Sequence, residues 1–217
     1  MIHPDTALRF VSPEVGHGVF ATRRIPKGTI TWGLCHLDHV LTPARRRDLP
    51  PAYTEMIQTY SYMTSRGDAV LCWDFGRFVN HSCDPATLSV TEEMEIAVRD
   101  ILPGEQITDD YGMLNIIAEL ECRCGAPGCR GVVRSDDVLR LGDAWEARVR
   151  EVFALAPRLP QPLVPFLREA RLLSDMLAGR APLPRPADFC VPSKAVWAEG
   201  NGSLSAAPAP RNRPASA

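Results

Sequence analysis

Short apolar runs separated by glycine and proline dominate the first half of the chain. Between about residues 7 and 121 these runs have the length of strands, a pattern typical of a compact, mostly β domain. The clearest are residues 18–21, 28–32, 69–73 and 94–98. In the last run Met94, Ile96 and Val98 alternate with Glu95, Ala97 and Arg99, which predicts a half-buried strand. A further strand is predicted over residues 106–110, after the Pro103-Gly104 turn.

Helical patterns lie within and after this β region. Residues 42–62 are more helical and predict an insert between strands. Two later stripes at three- and four-residue spacing predict amphipathic helices whose apolar faces serve packing: Val138, Leu141, Trp145, Val149 and Val152, then Leu163, Phe166, Leu167, Ala170, Leu173 and Leu177. From residue 180 onward Pro, Ala, Ser and Arg follow without periodicity, so residues 180–217 are predicted to be a disordered tail.

The composition narrows the class of protein. A chain of 217 residues with 45% hydrophobic residues has room for one domain with appendages. The net charge of -2 and the pI near 6.2 give no broad basic face, so we expect no direct nucleic-acid partner. No apolar run approaches the ~20 residues that span a bilayer, and we expect no membrane partner.

Two further features of the sequence indicate the cellular location of the protein and the kind of organism it comes from. Met1-Ile2-His3-Pro4 has neither the charged region nor the apolar core of a signal peptide, so a cytoplasmic protein is expected. Only Lys27 and Lys194 are lysines among 24 lysine and arginine residues. With the many alanines and prolines, this bias is typical of a GC-rich genome and favours a bacterial source.

Seven cysteines make up an odd set, and three of them fall within residues 122–129. This arrangement fits a secreted disulfide framework poorly and favours reduced thiolates that hold a metal. A redox cluster and buried thiols are the alternatives. Cys35, Cys72 and Cys190 have no partner at a recognisable spacing and are interpreted as ordinary buried or tail thiols.

Two polar motifs precede the cysteine cluster. The first reads Arg77-Phe78-Val79-Asn80-His81-Ser82-Cys83-Asp84-Pro85, and the second ends in Thr108-Asp109-Asp110-Tyr111-Gly112. Taken alone, Asn80 could be a turn former and His81 a satisfied core histidine. Together with Cys122-x-Cys124-x4-Cys129, in this order, the motifs closely resemble the SET domain, the fold of one class of protein-lysine methyltransferases, followed by that family's zinc-binding post-SET segment.

The resemblance implies a domain plan and an activity. It implies a SET-type β-clip fold, in which the two motifs meet in a pseudoknot, over residues 7–117. A post-SET zinc segment over residues 118–134 and a helical extension over residues 135–179 would follow. The implied activity is transfer of a methyl group from S-adenosylmethionine to a lysine side chain of a protein or peptide substrate.

The resemblance also assigns roles to single residues. Tyr111 is the implied catalytic tyrosine, and the implied zinc ligands are Cys83, Cys122, Cys124 and Cys129. The implied cofactor-binding residues are Gly16, His17, Gly18, Val19, Arg77, Asn80, His81 and Tyr111. Glycine suits the first segment because it has no Cβ and permits close approach of a ligand to the backbone.

The implied wall of the substrate channel is formed by Tyr60, Tyr62, Phe78 and Asp109, although Tyr60 and Tyr62 are equally well explained as buried core tyrosines. Asp109 departs from the family, which usually has an aromatic residue there. With strand alternation, Asp109 and Tyr111 would share a face and Asp110 would point away. Asp109 then either bonds a neighbour harmlessly, widens the site and changes the degree of methylation, or marks an altered or lost activity.

Two rival functions stay open. A catalytically silent peptide-binding module would keep the fold and the zinc but lose turnover, and Asp109 makes this conceivable. Asn80, His81 and Tyr111 favour the enzyme. A small zinc-dependent nucleic-acid binder is disfavoured by the acidic balance of the chain.

Overall fold

The computed structural model describes residues 1–191 of the chain. Its strands are β1 (Thr6–Ser12), β2 (Gly16–Ala21), β3 (Ile30–Gly33), β4 (His39–Leu41), β5 (Ser61–Met63), β6 (Ala69–Leu71), β7 (Asn80–His81), β8 (Thr87–Thr91), β9 (Met94–Ala97), β10 (Thr108–Asp109), β11 (Leu120–Glu121) and β12 (Val132–Val133). Its α-helices are α1 (Pro43–Arg47), α2 (Thr54–Tyr60), α3 (Val138–Phe153), α4 (Ala170–Leu177) and α5 (Pro186–Phe189). The prediction of a mostly β fold with C-terminal helices is confirmed.

The strands pair in several small sheets. Antiparallel hairpins join β1 to β2 and β11 to β12, while two three-stranded sheets have the orders β3-β9-β8 and β4-β6-β5. Helices α1 and α2 stand in the chain between β4 and β5, where the sequence predicts a helical insert. The many short strands agree with the glycine and proline punctuation of this part of the chain.

A two-residue parallel pairing brings the two polar motifs together. Strand β7 pairs with β10, so that Asn80 lies opposite Thr108 and His81 lies opposite Asp109. The Ser82 amide donates to the Asp109 carbonyl at 3.0 Å and extends the pairing beyond the two strands. Motifs that are distant in sequence therefore become neighbours, as the pseudoknot prediction requires.

The core lies on both sides of the β3-β9-β8 sheet. One apolar cluster takes Met94 and Ile96 from β9, and a second takes Ala97 from the same strand. All four residues of β9 are buried, including Glu95. The prediction of a half-buried strand is therefore wrong, because the packing of the C-terminal helices and of the N-terminal strands leaves neither face of β9 in solvent.

The C-terminal helices complete the first cluster. Helix α3 buries Val138, Trp145, Val149, Val152 and Phe153, which confirms the predicted amphipathic stripe. The second predicted helix is shorter than its stripe, since α4 begins at Ala170 and residues 164–166 form a 3-10 turn. Pro165 lies in that turn, where its missing N–H and fixed φ oppose a continuous α-helix.

Part of the predicted tail is ordered. Residues 186–189 form α5, and the side chains of Phe189 and Cys190 are buried in the first apolar cluster. Asn115 holds this segment, because its amide donates to the Phe189 carbonyl at 2.9 Å and its side-chain oxygen accepts from the Val191 amide at 2.6 Å. Disorder from residue 180 is thus wrong for residues 180–191, and residues 192–217 lie outside the described residues.

Within residues 1–191 the structure contains no helix with both the length and the apolar character that crossing a lipid bilayer requires.

Candidate active site and metal cluster

Tyr111 occupies a sharp turn at the end of β10. The strand ends at Asp109, and Tyr111 opens a 3-10 helix that runs to Met113. The hydroxyl of Tyr111 donates to the Val79 carbonyl at 2.7 Å. Burial, and then the nearby carboxyl groups of Asp109 and Glu95, raise the pKa of the Tyr111 phenol, so it stays neutral at physiological pH.

His81 joins Tyr111 to the cysteines. Its Nδ1 accepts a hydrogen bond from the Tyr111 amide at 3.2 Å, and its Nε2 lies 3.3 Å from Cys83 Sγ. Burial lowers the pKa of His81, which favours the neutral ring. A neutral imidazole that accepts at Nδ1 carries its proton on Nε2, so we assign an Nε2–H···Sγ hydrogen bond to Cys83.

Asn80 links the first polar motif to the glycine-containing N-terminal hairpin. Its side-chain amide donates to the His17 carbonyl at 3.0 Å. A Cβ on Gly18 would lie 2.6 Å from Gln106 Nε2 and 3.0 Å from Asn80 Nδ2, which is too close without movement. Glycine at position 18 therefore permits the hairpin to approach Asn80, and Val19 beside it is buried in the core.

An open cleft of about 310 Å³ adjoins this hairpin, and its lining includes Tyr60, Arg77 and Phe78 together with Met56 and Leu71. The Phe78 ring packs edge-on against Tyr60 at 5.5 Å and against His17 at 6.0 Å, between ring centroids. The cleft volume is at the lower end of the range for small-molecule sites. Its walls are mostly aromatic and apolar, with one cationic side chain.

The structure separates the two tyrosines that the sequence groups together. Tyr60 lines the cleft, whereas Tyr62 does not. The Tyr62 hydroxyl donates to the Glu92 carbonyl at 2.8 Å, and its ring packs edge-on against Trp32 at 5.5 Å. Tyr62 thus has the contacts of a core tyrosine.

Asp109 is directed into the protein. Its side chain accepts from the Asp110 amide at 2.6 Å and also contacts the carboxyl group of Glu95. Burial raises the pKa of both Asp109 and Glu95, and their proximity raises that of Asp109 further. We therefore treat them as a carboxyl pair that keeps a proton, since two adjacent buried carboxylates repel each other strongly.

The sequence reading did not identify Glu95 as a neighbour of the site. The alternating pattern of the strand placed it on the solvent side, yet the Thr87 hydroxyl donates to its carboxyl group at 3.1 Å in the interior. Strand alternation also does not extend from Asp109 to Tyr111. Asp110, expected to point away from the channel, is buried and faces Arg130 and Trp145.

The four predicted metal ligands lie close together. Cys122 Sγ is 3.7 Å from Cys83 Sγ and 3.6 Å from Cys129 Sγ, while Cys124 Sγ accepts from the Cys83 amide at 3.3 Å. In a tetrahedral site with Zn–S bonds of about 2.3 Å the sulfur atoms are about 3.8 Å apart. Both S···S distances fit that geometry, and four thiolates are a donor set found in tetrahedral metal sites.

His81 is a second candidate for the fourth ligand. Its ring nitrogen and the sulfur atoms of Cys83, Cys122 and Cys124 all lie within 4.8 Å of one another. A metal-bound histidine almost always donates its other ring N–H to an acceptor. His81 instead accepts at Nδ1, so its remaining proton is on the nitrogen that faces the cluster. This geometry favours Cys129 as the fourth ligand and His81 as a hydrogen-bond donor to Cys83.

The surroundings of Cys124 favour its thiolate. Burial alone would raise the pKa of this thiol, but hydrogen bonds from the Cys83 and Ala126 amides and from neighbouring thiols outweigh it and lower the pKa to about 6. Burial raises the pKa of the Cys122 and Cys83 thiols. A cation bound among these sulfurs would favour the thiolate form of each.

Part of the chain is similar in sequence to known proteins. Residues 16–112 match the family model described as "SET domain". The histone-lysine N-methyltransferase TRX1 of Oryza sativa subsp. japonica is 37% identical over 89 residues, which cover 38% of this chain and 8% of the rice protein. The histone-lysine N-methyltransferase ASHH3 of Arabidopsis thaliana is 34% identical over 95 residues, which cover 39% of this chain and 26% of that protein.

Among solved structures, the methyltransferase domain of human histone-lysine N-methyltransferase SETMAR aligns with a TM-score of 0.44 and 20% identity, covering 61% of this chain and 58% of that one. The chain spans about a quarter or less of the length of the two plant relatives. The match to the SET domain model ends at residue 112. Cys122, Cys124, Cys129 and the C-terminal helices lie beyond that match, whereas Cys83 lies within it.

Proposed function

We propose that this chain is an S-adenosylmethionine-dependent methyltransferase that acts on a lysine side chain of a protein. The observation that supports this most is the meeting of the two polar motifs. The β7–β10 pairing sets Asn80 and His81 against the segment that leads to Tyr111. The cleft lined by Tyr60, Arg77 and Phe78 adjoins His17, whose carbonyl accepts from Asn80. The relatives named as histone-lysine methyltransferases support the same class of substrate.

The reaction requires a neutral amine. A free lysine has a pKa of ~10.4 and is almost fully protonated at neutral pH, a penalty of about 3 pK units or roughly 4 kcal/mol. A desolvated channel and a nearby positive charge both lower the pKa of a bound lysine and offset this penalty. The proton then leaves to solvent before the amine attacks.

Tyr111 is suited to orient that amine and not to deprotonate it. Its raised pKa keeps the phenol protonated, and its O–H is already donated to the Val79 carbonyl. The phenolic oxygen can therefore accept an N–H from the amine and direct the nitrogen lone pair away from itself. This is catalysis by positioning, in which the residue fixes the approach of the nucleophile.

The residues around the cleft fit S-adenosylmethionine by their chemistry. Tyr60 and Phe78 offer aromatic surface of the kind that attracts cations, and Arg77 offers a guanidinium group suited to a carboxylate. When bound, S-adenosylmethionine supplies a methyl group on positively charged sulfur. We assign its binding to Arg77, Asn80, His81, Tyr111 and the backbone of residues 16–19, where Gly18 permits close approach.

We propose zinc as the metal of the cysteine cluster, held by Cys83, Cys122, Cys124 and Cys129. Four thiolates in tetrahedral arrangement are typical of structural zinc sites. Cys122, Cys124 and Cys129 follow the residues that match the SET domain, and Cys83 lies within them. The metal would therefore link the segment of residues 122–129 to the segment that contains Cys83. Metal binding would then contribute to the stability of the folded chain.

The rival function is a silent peptide-binding module, which Asp109 makes conceivable because it stands where the family usually has an aromatic residue. The contacts of Asp109 with Glu95 and the Asp110 amide instead support the first outcome considered for Asp109, a hydrogen bond to neighbours. Asp109→Phe tests this: unchanged rate and products would argue against any role of position 109 in the channel.

The substrate is proposed to be a protein with an accessible lysine, and the cytoplasm is proposed as the site of action. To test the activity, zinc-loaded protein is incubated with a lysine-containing peptide library and isotopically labelled S-adenosylmethionine. The Tyr111→Phe variant keeps the ring and loses the hydroxyl. We expect transfer by the unmodified protein and a rate lower by roughly 100-fold or more in the variant, with cofactor binding retained.

Equal transfer by both proteins would remove Tyr111 from the mechanism. Cofactor binding without transfer to any peptide of the library would favour the silent module.

A further inference from the structure

A cluster of buried charges adjoins the Tyr111 turn and has no role in the chemistry described above. Asp110 and Asp137 are almost completely buried, and Arg130 lies between them with a largely covered side chain. These residues come from the Tyr111 turn, the start of α3 and the segment after the last clustered cysteine. Burying carboxylates is costly unless they are paired, so the arrangement calls for an explanation.

Asp110 holds the Tyr111 turn directly. Its Oδ1 accepts from the Gly112 amide at 3.0 Å, which caps the 3-10 helix that Tyr111 begins. Its Oδ2 accepts from the Trp145 indole of α3 at 3.2 Å. A change in the orientation of Asp110 would therefore alter the backbone that positions the Tyr111 ring.

Arg130 joins Asp110 to the cysteine cluster. Its two terminal nitrogens donate to the two Asp110 oxygens at 2.8 and 2.6 Å, a bidentate pair of the strongest type. Its backbone amide donates to Cys83 Sγ at 3.4 Å, and it follows Cys129 in the chain. The backbone of Arg130 thus contacts the candidate metal site, and its side chain binds Asp110 in the Tyr111 turn.

The other charges hold Arg130 in place. Its Nε lies 3.5 Å from Asp137 Oδ2, a distance for an ion pair and not for a good hydrogen bond. Asp137 also accepts from the Arg134 amide at 3.0 Å and pairs with Arg140. Lysine could not reproduce this arrangement, because only the planar guanidinium fork bonds both carboxylate oxygens at once.

We propose that the Arg130–Asp110 pair is a positioning link that transmits metal occupancy of the cysteine cluster to the turn that carries Tyr111. Metal binding fixes the backbone at Cys129 and Arg130, the guanidinium fixes Asp110, and Asp110 fixes the Gly112 amide. His81 provides a second, shorter connection from Cys83 to the Tyr111 amide. The significance of the link for catalysis rests on the proposed function, whereas the link itself does not.

Hydrogen exchange measured by mass spectrometry tests the link without any substrate. In the unmodified chain, removal of zinc by a chelator is expected to speed exchange in residues 110–115 by about tenfold or more, since protection follows local stability. Zinc-loaded Arg130→Met should exchange in that segment severalfold faster than the zinc-loaded unmodified protein, although the His81 connection remains. It should still bind one zinc and protect residues 122–129.

Arg123→Met is the matched control. Arg123 also adjoins clustered cysteines, but its side chain is 83% exposed, and it pairs with Glu121 on the surface. Its exchange should match that of the unmodified chain. The proposal is overturned if zinc-loaded Arg130→Met protects residues 110–115 normally, or if chelation leaves that segment unchanged in the unmodified protein.

Arg130→Lys serves if the methionine variant does not fold. Lysine keeps the positive charge but lacks the planar guanidinium group that bonds both Asp110 oxygens. Because the ion pair is weaker, we expect exchange in residues 110–115 to be about threefold faster than in the unmodified chain. Unchanged exchange in this variant would also overturn the link.

Where methyl transfer is detected, Arg130→Met should lower kcat by about tenfold or more, while KM for S-adenosylmethionine stays within about threefold of its original value. A fall in zinc content alone would indicate a merely structural role.

Discussion

At the scale of residues, the neighbourhood of Tyr111 is arranged to keep side chains neutral. Burial raises the pKa of the Tyr111 phenol and of both carboxyl groups of the Asp109–Glu95 pair, and it lowers the pKa of His81. Each shift disfavours the charged form of its group. A neutral amine is the reactive form of lysine, so an interior that opposes charge suits the proposed reaction.

The carboxyl pair gives a pH-dependent prediction for Glu95→Gln. A carboxyl group whose pKa is raised in the folded state stabilises the fold fully only below its unfolded value near ~4, and this stability is lost as the pH rises towards the folded pKa. Glutamine can still accept from Thr87 and can donate to Asp109. The variant should therefore gain thermal stability over the unmodified chain as the pH is raised from about 5 to 8.

Thermal denaturation at the two pH values measures this change. We expect the Tm difference, variant minus unmodified, to grow by about 3 °C or more, which corresponds to about 1 kcal/mol for a chain of this size. Glu55→Gln, at an exposed position of α2, is the control and should show no growth. An equal Tm difference for Glu95→Gln at both pH values would contradict the raised pKa of the pair.

Whether the role of a residue could be predicted from the sequence depends on how far along the chain its partners lie. The association of Asn80, His81 and Tyr111 was predictable, because contiguous motifs carry it. The roles of Glu95, Arg130 and Trp145 were not, because each depends on a partner from a distant element. Glu95 in particular follows a pattern that predicts an exposed side chain, and only the packing of both faces of β9 reverses it.

At the scale of elements, long periodic segments were predicted well and short ones poorly. Helix α3 follows its stripe, since one face packs on the core along its whole length. Strands β7 and β10 have two residues each, too few for any periodic signal, although they join the motifs. The segment from 180 to 191 looked disordered by composition, but α5 and Asn115 fasten it to the core.

The cysteine segment of residues 122–129 gives a prediction about the fourth metal ligand. If four thiolates bind the metal, Cys129→Ala should lower metal affinity strongly and weaken the thiolate charge-transfer absorption of the cobalt-substituted protein. His81→Ala should keep that absorption and lose at most about 10- to 100-fold in affinity, as expected for a group that hydrogen-bonds a ligand. Cys35→Ala removes a buried thiol outside the cluster and is the control.

The reverse pattern, with cobalt absorption altered by His81→Ala and unaffected by Cys129→Ala, would contradict the four-thiolate assignment.

At the scale of the whole molecule, several separate sheets meet around one site. The N-terminal hairpin approaches Asn80, the β7–β10 pair supports Tyr111, and the cysteine segment returns to Cys83. Helix α3 reaches the same place through Trp145. Elements from the N-terminal hairpin to α3 all contact this site. The arrangement of its residues should therefore depend on the global fold and on metal occupancy of the cysteine cluster.

The measurement that tests the central claim most directly is calorimetric titration of S-adenosylmethionine into zinc-loaded protein, since it needs no substrate. Asn80→Ala is the paired variant, because it removes the amide that holds the His17 carbonyl. We predict binding with a Kd in the micromolar range, about 8 kcal/mol, that is lost in the variant. Absence of binding in folded, zinc-loaded protein would contradict the assignment of this chain as a methyltransferase.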